Sequence, residues 1–136
     1  MQVTAKEETK VMYFRNLNQI VESLETDEST KNDPIKRAFV FDGKHLTANV
    51  GIVRDSGNAL HTQKYHDEIL VIIEGNVDFQ VGNEVKKVGK GDLVFIPQNT
   101  LHGPILEEGQ SFAALSVFAP YFDRSKSNIE WDRDSA

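Results

Sequence analysis

From Ile35 onward the chain is a succession of short β-branched and aromatic runs, each closed by Gly, Asn, Asp or Pro. This punctuation constrains the fold more than any other feature, because such runs are strand-length and too short for helices. It predicts strands at 36–41, 45–54, 59–63, 68–73, 77–81, 84–88, 92–96, 101–106 and 111–118. Asp42-Gly43, Gly75-Asn76 and Gly82-Asn83 supply residues that tolerate positive φ, as tight turns require. Val77, Phe79 and Val81 alternate with Asp78 and Gln80, which gives that strand one dry and one wet face. Many short strands with close turns and a single helix predict an all-β antiparallel sandwich or barrel.

The helix is short. Leu17, Ile20, Val21 and Leu24 fall at helical spacing, and Asn16 with Gln19 reads as a capping box. Its expected role is to cover a sheet edge. Residues 1–12 are polar and without period, and the stretch from Glu25 to Pro34 is a charged, turn-rich linker. The chain therefore divides into an arm, helix and linker over 1–34, a barrel over 35–120 and a tail over 121–136.

Charge and composition narrow the function. The net charge is −6, against the basic surface that nucleic acid demands, and Lys86, Lys87 and Lys90 flank a turn beside Glu84 and Asp92. With no cysteine there is no disulfide, thiolate ligand or thiol nucleophile. No stretch approaches the roughly 18 apolar residues of a membrane span. The polar N-terminus does not read as a secretory signal. The expectation is a soluble cytoplasmic protein that binds neither nucleic acid nor membrane.

The chemistry-bearing residues lie in two places. Gly91 to His102 reads as a turn, an apolar strand, a proline-led turn and a histidine, a hairpin that aims His102 inward. Upstream, His61 and Gln63 share one face of a strand. Glu68 opens an otherwise apolar strand, placing a carboxylate at the barrel mouth. His66 falls in the intervening loop and is expected to be exposed, as is His45 after its turn.

These two stretches resemble the motifs of the cupin superfamily. The first runs His61-Thr62-Gln63, four residues, Glu68, six residues, Gly75. The second runs Gly91, five residues, Pro97-Gln98-Asn99, two residues, His102, and fifteen residues separate Gly75 from Gly91. The resemblance covers about residues 35–120 and implies a double-stranded β-helix, or jelly-roll barrel, with a metal held by motif histidines and the glutamate. The chain departs from the pattern at four points. Gln63 stands in place of a histidine, Asn99 in place of a turn glycine and Leu106 in place of an asparagine, and Gly57 is out of register.

Carried over by position, the implied ligands are His61, Glu68 and His102, with Gln63 adding a neutral amide oxygen and His66 as an alternative donor. Two histidines and a carboxylate suit a divalent first-row ion with open positions; iron, manganese or nickel are favoured and zinc is possible. Glu68 doubles as the catalytic base. The resemblance implies an enzyme acting on a small organic molecule, with dioxygenase-type oxidation favoured. The alternatives are a metal-dependent isomerase or lyase and a non-catalytic small-molecule-binding cupin. Phe39, Phe41, Phe79, Phe95 and Phe112 are candidates for pocket walls. The expected partners are a small-molecule ligand and a second copy of the chain, as a homodimer.

Overall fold

The computed structural model describes residues 13–55 and 59–132; the expected N-terminal arm over 1–12 and the last residues of the tail lie outside them. Helix α1 (Leu17–Thr26) precedes ten strands: β1 (Ile35–Asp42), β2 (Thr47–Arg54), β3 (His61–Gln63), β4 (Asp67–Glu74), β5 (Val77–Val81), β6 (Glu84–Val88), β7 (Leu93–Ile96), β8 (His102–Ile105), β9 (Ser111–Ala119) and β10 (Ile129–Trp131). They form two five-stranded sheets, ordered β1-β2-β9-β4-β7 and β10-β3-β8-β5-β6, with every pairing antiparallel. This is the expected jelly-roll barrel.

Strand alternation builds two cores. Leu70 and Ile72 of β4 point between the sheets and meet Val77, Phe79, Ile96 and Phe112. The opposite face of the first sheet carries Val40, Ala48, Val50, Ile52 and Ala113, and these pack against Ile20 and Val21 of α1. The helix thus covers the face of a sheet and not its edge. The reason lies in β2, whose outward residues Ala48, Val50 and Ile52 are apolar and need a cover on the outside.

Asn16 caps α1 by accepting from the Gln19 amide at 3.0 Å. At the other end the buried Lys36 reaches from β1 to donate to the Leu24 carbonyl at 2.9 Å and to that of Glu25 at 3.4 Å. A cation there satisfies carbonyls that a helix end leaves without partners and complements its dipole.

Two further features depart from the sequence reading. Residues 97–101 do not close a hairpin: β7 pairs with β4 in the first sheet, whereas β8 pairs with β3 and β5 in the second. The turn is an arch between sheets, and Asn99 takes the left-handed conformation there, at φ 62°. The tail also contributes a strand, β10, which extends the second sheet beyond β3. No described helix is long and apolar enough to cross a membrane.

Candidate functional site

The arch delivers His102 to the first position of β8, where its register partner is His61 of β3. The two imidazoles lie 4.3 Å apart between centroids, tilted by 56°. Gly103 makes this approach possible. A Cβ on it would stand 2.9 Å from the Ala59 carbonyl oxygen and 3.3 Å from the Leu60 Cα, so only glycine lets β8 close on the chain leading into His61.

Glu68 comes from the opposite sheet, where β4 is paired on both sides. It is buried, and its Oε1 is 3.6 Å from Nε2 of the buried His102. Nδ1 of His102 lies 2.8 Å from the Thr100 carbonyl oxygen, which can only accept; Nδ1 therefore carries a proton, and in the neutral ring Nε2 carries the lone pair. His61 makes a longer contact of the same kind, 3.4 Å from Nδ1 to the Ala59 carbonyl. Burial, with His102 adding to it, pushes the His61 pKa down to about 4, so this imidazole is neutral at physiological pH.

Gln63 is buried two residues after His61 on the same strand face. Its Oε1 and Nε2 of His102 are both buried without a hydrogen-bond partner among the described residues. His61, Gln63, Glu68 and His102 thus line one cavity of about 90 Å³. Leu70, Phe79, Phe112 and Phe118 supply its apolar walls. The four residues share the cavity without forming a closed ligand shell: among the described residues, no three His, Cys, Asp or Glu side chains gather closely enough to hold a metal ion as they stand.

His66 is buried and not exposed as expected. Its loop folds inward, so that the ring stacks on Phe122 at 4.8 Å and 17° and meets the edge of Phe118 at 5.7 Å. That packing keeps it out of the cavity lining, and burial lowers its pKa. His45 is exposed. Of the candidate wall residues, Phe79 and Phe112 line the cavity, Phe41 and Phe95 are exposed, and Phe39 packs on Phe122. Leu106 belongs to the inner core.

Four lining residues with polar side-chain groups escaped the sequence reading. Asn49 and Ser116, both buried, are register partners across β2 and β9, and a polar residue on the inward face of each apolar strand was the available signal. Arg37 enters from β1. Trp131 comes from β10 and lies 4.7 Å from the His61 ring.

The family model described as Cupin domain matches residues 53–118. No curated protein matches the sequence. Among solved structures, the chain is similar to TT1209 from Thermus thermophilus, at 20% identity over 80% of this chain and 98% of that one, with a TM-score of 0.63. It is similar to KdgF from a Halomonas species at 23% identity over 68% and 84%, with a TM-score of 0.58. Pac13, a nucleoside dehydratase of Streptomyces, aligns at 17% identity over 72% and 78%, with a TM-score of 0.59. At these identities the structures speak to the fold, and each shares the barrel. Motifs, topology and family match agree: residues 53–118 match the cupin domain, and the chain has the fold of cupin-like double-stranded β-helix proteins.

Proposed function

We propose that this protein is a metal-dependent cupin acting on a small organic molecule held in the barrel cavity. One observation carries the reading. The His102 Nε2 lone pair and the Gln63 oxygen are buried without partners, and a buried carboxylate faces that nitrogen at 3.6 Å. A neutral imidazole nitrogen, an amide oxygen and a carboxylate sharing a low-dielectric cavity repel; a proton or a metal ion among them relieves this, and the number of donors lining one cavity favours the metal.

The donor chemistry fits such an ion. Glu68 and His102 would hold it, with Gln63 as a neutral oxygen donor and His61, already neutral, as the second imidazole. Holding Nδ1 of each histidine on a backbone carbonyl is the support that metal-binding imidazoles use. Two nitrogens and hard oxygens favour iron(II), manganese or nickel, with zinc possible. When bound, such an ion supplies Lewis acidity and, if redox-active, a means of engaging dioxygen.

The chain's own residues do the rest. Glu68 is placed to take a proton from a molecule in the cavity, and the phenylalanine walls give that molecule an apolar surface to pack on. The two-histidine, one-carboxylate donor set favours dioxygenase-type oxidation. Glu68 as a base supports the second reading, an isomerase or lyase; the fold is also that of the nucleoside dehydratase Pac13.

Metal analysis tests the proposal on protein purified without chelators and after reconstitution with iron(II), manganese, nickel and zinc. About one ion per chain is expected, with affinity in Glu68→Gln and His102→Ala reduced by more than the roughly ten- to hundredfold that loss of a residue merely supporting a ligand costs. Failure of every ion to bind would sink it. Oxygen uptake on turnover separates oxidation from proton transfer, and a loaded site without turnover assigns the protein to binding.

A further inference from the structure

We propose that Arg37 is the recognition point for an anionic group, so that the cavity takes a small organic carboxylate with an apolar body. This names a substrate class for the site proposed above and rests on that reading.

Arg37 is on the inward face of β1 and opens on two spaces at once, the cavity and an adjoining groove that also holds Arg124 and Lys126. The rim of an acidic protein is thus locally cationic. Arg124 is already engaged, with Nη2 donating to both Asp42 oxygens at 2.9 and 3.2 Å and its guanidinium 3.7 Å above the Phe39 ring. Lys126 sits 5.3 Å over Tyr65. Arg37 differs from both: beyond its backbone pairing with β2, its guanidinium forms no salt bridge with a described residue. A guanidinium presents five donors in a planar fork that matches a carboxylate edge-on.

There is also room beside it. The register partner of Arg37 on β2 is Gly51, where an added Cβ would meet only the Lys36 carbonyl oxygen at 3.5 Å. Arg37 and Glu68 are near enough for their charges to interact, yet no ion pair joins them, and the close contact of Glu68 is His102. The cavity lining therefore carries a cation at Arg37 as well as donors at Glu68 and His102. By register, Asn49 and Ser116 fall between the levels of Arg37 and Glu68, and Phe79 and Phe112 add apolar wall. Arg37 is exposed at the rim, so water serves its guanidinium when the cavity is empty; an organic carboxylate exchanges that water for a pair that satisfies both its charge and its fork, which a neutral ligand cannot do.

The test uses the full chain, as purified and again after chelation, titrated with benzoate and butyrate and with the neutral amides benzamide and butyramide. Histidine ring resonances or calorimetry report binding. Both carboxylates are expected to bind more tightly than their amides. In Arg37→Gln that preference should fall by about tenfold or more, while amide binding stays unchanged. Arg37→Lys should recover part of it, keeping the charge and losing the fork. Circular dichroism confirms that each variant is folded.

An undiminished carboxylate preference in Arg37→Gln overturns the proposal, as does failure of any carboxylate to bind the parent protein. If chelation abolishes the preference and Arg37→Gln does not, the anion sits on the metal; the inference falls and the metal reading stands. Loss in Arg37→Gln in a protein that holds no metal gives the converse.

Discussion

His61 and His102 share a register position and a cavity, yet their surroundings ask different things of them. His102 is fixed by a short bond to Thr100 and turned toward Glu68, whereas His61 lies under Trp131 and is held neutral by burial. A histidine whose pKa is lowered on folding takes up a proton more readily in the unfolded chain, so acid favours unfolding. For metal-free protein, His61 therefore contributes stability that is complete above the unfolded value of 6.5 and lost progressively as pH falls toward about 4. Urea denaturation across that window should show the decline, and His61→Gln should flatten it; an identical slope in the variant would count against this assignment. Beside His102, Gly103→Ala should cost about 1–3 kcal/mol through overpacking and should separate the two rings, read by denaturation and by loss of metal affinity. The candidate ligands were legible in the sequence because an i, i+2 spacing on a strand and a carboxylate opening an apolar run survive without knowledge of pairing. Arg37 was not, since its significance depends on Gly51 across the sheet and on which cations at the rim are already bound.

Elements were legible where turns punctuate them. All nine expected strands are present, because each is bounded by residues that prefer the turn conformation over the strand. The tenth lacks such bounds: β10 is three residues long and is specified by its ladder to β3, a tertiary contact that no local pattern encodes. The arch at 97–101 reads as a hairpin for a related reason, since a turn sequence says that the chain reverses without saying which sheet receives it. Helix α1 shows the same division. Its cap and apolar stripe were readable, while its anchor, Lys36, reads locally as an ordinary exposed strand lysine. Lys36→Met keeps the aliphatic stem but removes both bonds to the helix carbonyls, and is expected to cost about 1–3 kcal/mol in denaturant unfolding. The loss should be independent of metal, because Lys36 lies on the outer face of the sheet.

At the scale of the molecule, α1 covers only part of that outer face. Toward β7 the face continues through Ile69, Leu93 and Phe95, with 48%, 72% and 60% of their surfaces exposed, and Ile69 and Phe95 are register partners. We propose that a second copy of the chain covers this patch as a homodimer, since apolar patches left open on a sheet favour association. Sedimentation should show a dimer of about twice 15.3 kDa, and Leu93→Glu with Phe95→Glu should shift it to monomer without unfolding. A parent protein that sediments as monomer at micromolar concentration would rule the dimer out. The placement of β10 has a further, optical consequence. Trp131 is the sole tryptophan of the chain, and its indole lies against the His61 ring at the cavity rim. Tryptophan emission, excited selectively over the three tyrosines, is therefore a local signal from the cavity, and an unlabelled sample reports in it whatever enters beside His61.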